Sequence, residues 1–109
     1  MLISQELNDA FNDQIGHELG ASVQYVSIAA HFSQRHLTLL SKLFLKQAEE
    51  ERLHAMKFVQ YVVDTKGALR IPAIPAPRAA FGSAEEAVEA ALTWENEVTR
   101  QVTRLMDLA

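Results

Sequence analysis

Apolar residues recur on one face of three long stretches of this chain, and a glutamate stands in the middle of each face. The series Phe11–Glu18–Tyr25–Phe32, Phe44–Glu51–Phe58 and Val88–Glu95–Val102 advance by sevens, and residues seven apart share one side of an α-helix. Three amphipathic helices are predicted. The first begins after Ser4, an N-cap with Glu6 near the positive end of the helix dipole, and runs to about Gln34. Gly16 and Gly20 lie inside it, each costing up to ~1 kcal/mol relative to alanine, so a closely packed neighbouring backbone is their expected reason. Gln34–Thr38 reads as a short turn, which makes the flanking helices antiparallel neighbours. The second helix is expected over about Leu39–Lys66, with Gly67 as its stop signal. Ser83-Ala-Glu-Glu86 is a capping box that opens the third, which continues to Ala109. Val102, Leu105 and Met106 keep that helix apolar on one face to the last residues, so the face expects a partner.

Between the second and third helices, residues 68–82 carry Pro72, Pro75 and Pro77 and no helical period. An extended, proline-fixed segment of about 14 residues reaches ~43 Å at ~3.1 Å per residue. A helix of about 28 residues is ~42 Å long. A connector that matches a helix in length predicts a crossover, with the second and third helices parallel. A disordered linker is the other reading, against which Ile71, Ile74 and Phe81 offer apolar side chains to lay on the bundle.

The chain has 109 residues, enough for one domain over residues 1–109 and one core. Nearly half of them, 49%, are hydrophobic, which argues against disorder. The formal net charge of −4 comes with no basic run, so nucleic acid is not an expected partner. Absence of cysteine removes disulfides, thiolate nucleophiles and cysteine-ligated zinc or iron–sulfur sites. No signal peptide is visible at the N-terminus, and no stretch nears the ~20 apolar residues that span a bilayer. The expectation is a cytoplasmic protein without a membrane partner.

The chemistry therefore rests on the three glutamates. His54 lies one turn beyond Glu51, within Glu51-Arg-Leu-His54, and adjoins it on the same side of the helix. An isolated buried carboxylate is costly to keep charged, and several converging ones repel. A bound polycation removes both problems, so a carboxylate-bridged metal centre inside a helical bundle is one reading. The other is an interface edge along which the carboxylates reach solvent. Tyr25, one heptad after Glu18 on the same stripe, reads as a core tyrosine. Glu49-Glu50-Glu51 alone would be a solvated run, with only Glu51 on the stripe. Trp94 reads as packing, Phe32 and Tyr61 as core or dimer contacts, and His17, His31 and His36 as surface or interface residues.

These segments, taken in order, resemble the non-haem bacterial ferritins of the ferritin-like di-iron carboxylate family. The match runs through Asn12-Asp-Gln-Ile-Gly-His-Glu18, Phe44-Leu-Lys-Gln-Ala-Glu-Glu-Glu51-Arg-Leu-His54, Ile71-Pro-Ala-Ile-Pro-Ala-Pro77 and Ala91-Leu-Thr-Trp-Glu95. A lone Glu-x-x-His carries little information; in this order, with the proline-rich crossover between, it is specific. The resemblance implies an all-α, ferritin-like antiparallel bundle with a long crossover, of which three of the four helices are present. It implies a ferroxidase centre, where two Fe(II) ions are oxidised by dioxygen and the product is stored as ferric oxide in an oligomeric shell. Glu18 and Glu95 would be terminal ligands, Glu51 the bridging ligand and His54 a ligand of the first iron. Glu50 matches a residue of a third, weaker iron site, and Tyr25 the tyrosine that bonds a ligand carboxylate. Arg52 stands where haem-binding relatives place methionine, so no haem is expected. The fourth helix should supply further ligands, so a chain that keeps the fold and plays a non-catalytic, assembly role is the alternative. A peroxide-reducing rubrerythrin relative is the third reading, disfavoured by the lack of cysteine.

Overall fold

Ser4 Oγ accepts the Leu7 amide and opens α1 (Gln5–Gln34). α2 spans Thr38–Asp64 and α3 Ala84–Leu108, with no strand anywhere in the computed structural model, which describes residues 1–109. The first two helices end in the same way. His36 and Lys66 take the left-handed conformation, at φ 61° and 57°. The next amide in each case reaches back to the last turn: Leu37 to the Phe32 carbonyl at 2.9 Å and Gly67 to that of Val62 at 2.8 Å. The left-handed residue after α2 is thus Lys66 and not Gly67, which was expected to stop the helix. Gly67 serves closeness instead, since a Cβ there would meet Asn8 Oδ1 and stand 3.1 Å from the Val62 side chain. At α3 the Ser83 hydroxyl accepts the Glu86 amide as a capping box requires, but the Glu86 carboxylate bonds the Gly82 amide, one residue before the box partner.

α1 is the central helix. Ser22 Oγ donates to the Ala48 carbonyl at 2.7 Å, the Leu2 amide to the Thr65 carbonyl, and Phe11 packs on Phe58 while Phe32 packs on Phe44. These pairs run in opposite order, so α1 and α2 are antiparallel. α3 also runs against α1: the Tyr25 hydroxyl bonds Glu95, and Asp13 and His17 share a hollow with Gln101 and Arg104. α2 and α3 are consequently parallel, as the connector length predicts. No Cα of α2 lies within 8 Å of one of α3, so the two stand diagonally, each docked on α1.

The connector, residues 68–82, is an ordered strap lying along α1. Buried polar side chains of α1 hold its peptide groups. Asn8 pairs with both the amide and the carbonyl of Ala68, and Asn12 takes the Ala68 carbonyl at 2.8 Å and the Arg70 amide at 2.5 Å. Further on, Gln24 pairs with both the amide and the carbonyl of Arg78, and Ser27 adds a bond to that carbonyl. Pro72 lies over Gly16, where an added Cβ would stand 2.6 Å from the proline ring; the close neighbour is a side chain rather than the backbone anticipated above. At Gly20 the nearest strap atom, on Ile74, would be 3.9 Å away, an ordinary contact. Phe81 is buried at the far end, while Ile71 and Ile74 remain half-exposed.

The core falls into two parts. Ala21, Tyr25, Ile28, Phe32, Ala48, Phe81 and the start of α3 form one, and Leu7, Phe11, Ile15, Ala55, Val62 and Leu105 the other. Glu18 and Glu51 lie between them along α1 and α2, so a polar layer divides the apolar interior.

Candidate metal centre

Two helices bring three ligand groups together at that layer. Glu18 of α1 and Glu51 of α2 are 1% and 2% exposed, as their places on the apolar stripes require. His54, one turn beyond Glu51, is half-exposed and turns its Nδ1 toward both carboxylates, 3.5 Å from Glu51 Oε2 and 3.9 Å from Glu18 Oε2. One ligand atom from each residue fits within 4.8 Å of the other two. Gln14 donates to Glu18 Oε1 and Gln47 to Glu51 Oε1, both at 3.2 Å. With both groups ionised, the second oxygen of each carboxylate, Oε2, is buried and has no hydrogen-bond partner. Uncompensated buried carboxylate oxygens are among the costliest groups an interior can hold.

The electrostatics follow from this burial. Removal from water pushes the Glu18 carboxyl up from its ordinary value of 4.5 to about 8, reinforced by Glu51 and, more weakly, by Glu95, against a stabilising bond from Gln14. The Tyr25 hydroxyl is pushed up as well, first by burial and then by its bond to Glu95, so it stays protonated and donates. Glu95 on α3 is half-buried and stands beside the cluster. Its Oε1 is held by the Tyr25 hydroxyl and, at 3.3 Å, by Gln47. Gln47 therefore spans Glu51 and Glu95. Glu50 is exposed, bordering a shallow hollow on α2 that His54, Leu53 and Met56 also line. The third stripe is less covered than the first, with Val88 exposed, since no Cα of α2 comes within 8 Å of one of α3.

His31 departs from its expected surface or interface position. It is 7% exposed, edge-on to Phe32 and Phe81, because the end of the strap folds over it. Phe32 is core, whereas Tyr61 is exposed and stacks on Phe11 with ring centroids 4.6 Å apart.

The ferritin-like domain pattern matches residues 8–109. The chain belongs to the ferritin-like domain family. It is 35% identical to a bacterial non-heme ferritin of Staphylococcus saprophyticus and 33% identical to one of Staphylococcus aureus, in each case over 108 residues, 99% of this chain. The chain spans 65% of the length of these curated relatives. An open-pore ferritin from the hyperthermophilic archaeon Archaeoglobus fulgidus superposes with a TM-score of 0.93 at 30% identity, over 98% of this chain and 66% of that one. An engineered closed form of the Archaeoglobus fulgidus ferritin gives 0.92, also at 30% identity, over 98% of this chain and 65% of that one. The all-α bundle expected from the stripes and the crossover, and the ferritin-like fold that the resemblance implied, are therefore the fold of this domain.

Within this ferritin-like domain, the residues that sequence reasoning passed over are Gln14 and Gln47. Each precedes a stripe glutamate by four residues and so stands directly behind it on the same helix face. That spacing was available in the sequence, but glutamine is too common on helices to stand out without the buried carboxylate in front of it. No helix of the domain is long and apolar enough to cross a membrane.

Proposed function

We propose that this domain binds Fe(II) as substrate at Glu18, Glu51 and His54, with Glu95 beside them, and passes its electrons to dioxygen in an iron-storage assembly. One observation carries the reading: Glu18 Oε2 and Glu51 Oε2, both buried and unpartnered, converge with His54 Nδ1. Hard oxygen donors with one imidazole suit iron, and an anionic oxygen-rich set favours Fe(III) over Fe(II), which drives oxidation. The protein's own groups prepare the site. Glu18 holds a proton near neutral pH, so an entering cation displaces it. Tyr25 and Gln47 fix Glu95 by one oxygen, and the half-exposed His54 leaves a path from solvent. The ferric product would then leave as hydrated oxide into a shell of like subunits, as the resemblance to non-heme ferritins suggests, with Glu50 beside His54 as a weaker third position.

A second reading is supported by Glu95, which lies outside the three-residue cluster and is tied up by Tyr25 and Gln47. On that reading the domain keeps the fold and part of the site in a structural role. Oxygen consumption after Fe(II) addition separates the two, with Glu51→Ala as control. Fast uptake that the substitution abolishes supports oxidation at this centre. Uptake no faster than in Glu51→Ala refutes it and leaves the structural role.

A further inference from the structure

Gln14-Ile-Gly-His-Glu18 on α1 and Gln47-Ala-Glu-Glu-Glu51 on α2 are the same device on two antiparallel helices. In both, an amide one turn before the carboxylate holds Oε1 at 3.2 Å. In both, Oε2 is the buried oxygen without a partner, and both Oε2 atoms face His54 Nδ1. The pairing is not a packing accident of one residue, because it recurs with the same atoms on separate elements. We infer that Gln14 and Gln47 are positioning residues that clip one oxygen of each carboxylate, so that the other is presented to a metal ion beside His54. This inference rests on the metal-binding reading above.

The physical reason lies in the carboxylate itself. It carries two equivalent oxygens and can bind a cation through one, through both, or as a bridge. A free glutamate side chain samples all of these and loses rotamer freedom on binding. An amide fixed behind Oε1 sets the plane of the group before any ion arrives and leaves Oε2 turned toward His54. Gln47 does this twice, because the same nitrogen also reaches Glu95 Oε1 at 3.3 Å. Partners of this kind raise metal affinity by about 10–100-fold where they have been removed by substitution.

The test is a Co(II) titration of the full chain, followed by the visible ligand-field absorption of the bound ion, which reports coordination and needs no turnover. Gln14→Met and Gln47→Met keep side-chain length and remove the N–H. Each is expected to weaken Co(II) binding by about 10–100-fold and to change the band shape, with the far-UV helical signal retained. Gln47 is only partly buried, so its variant serves if Gln14→Met fails to fold. Gln47→Asn, with the amide one methylene short, should behave like Gln47→Met. Co(II) affinity and spectra unchanged in the folded glutamine variants, while Glu51→Ala abolishes binding, would overturn the clip and leave the metal site standing. Absence of Co(II) binding by the unsubstituted chain would overturn both.

Discussion

Replacing Glu18 by glutamine should make the metal-free protein more stable at pH 8 and leave it nearly unchanged at pH 4.5. Burial holds the Glu18 carboxyl at about 8 in the fold, against an ordinary value of 4.5. Between those limits the folded state keeps a proton that the unfolded chain releases. Unfolding then releases one proton, so each rise of one pH unit costs about 1.4 kcal/mol of stability. The sign is opposite to that of a salt-bridged carboxylate: Glu18 costs nothing below pH 4.5 and most above pH 8. For a domain of this size the slope corresponds to about 5 °C or more in melting temperature per pH unit. The assay is thermal unfolding by circular dichroism in chelator from pH 5 to 8, wild type against Glu18→Gln, reading only the difference in slope. His54 Nδ1 stands 3.9 Å from Glu18 Oε2 and 3.5 Å from Glu51 Oε2, so the pair is repeated in a His54→Gln background to remove the imidazole from the comparison. Parallel melting curves across the range would show that the carboxyl is ionised and solvated in the fold. That result would remove the electrostatic argument for a cation at this position.

The strap offers two further tests. Gly16→Ala places a methyl 2.6 Å from the Pro72 ring and should cost about 1–3 kcal/mol from crowding, whereas Gly20→Ala meets only an ordinary contact at 3.9 Å and should gain up to ~1 kcal/mol of helix propensity; urea unfolding of the two variants should move in opposite directions. Asn12→Ala leaves the Arg70 amide without its acceptor, at about 1–3 kcal/mol, and should speed tryptic cleavage at Arg70 and Arg78; cleavage at the wild-type rate would mean that the strap is held elsewhere.

The helices and the buried carboxylates Glu18 and Glu51 were legible because burial leaves a periodic trace. A glutamate among phenylalanines is visible at a spacing of seven, and a proline-rich stretch as long as a helix betrays a crossover. The strap's attachment was not legible. Asn8, Asn12 and Gln24 look like ordinary polar residues of a solvated face, yet they are buried because the strap's backbone lies on them. The same cause hid His31, against which Phe81 at the end of the strap lies edge-on. Helix ends were legible to within a residue or two but not in their mechanism, since Lys66 accepts the left-handed turn that Gly67 was expected to take, and His36 accepts the one that ends the first helix. The separation of Glu95 from Glu18, Glu51 and His54 depends on where α3 rests against α1, a tertiary quantity that no period along one helix encodes.

Because α1 grips the strap mainly by its peptide groups, the grip depends little on which side chains the strap carries. Asn8, Asn12 and Gln24 would read the same amides and carbonyls under many different sequences. Selection on the strap should accordingly be relaxed at Leu69, Ala73 and Ala76, all exposed, and strict at Pro72, the ring seated on Gly16, and at Phe81. The constraint has moved off the loop and onto the helix beneath it. A grafted segment of equal length that kept Pro72 and Phe81 should therefore dock in the same register.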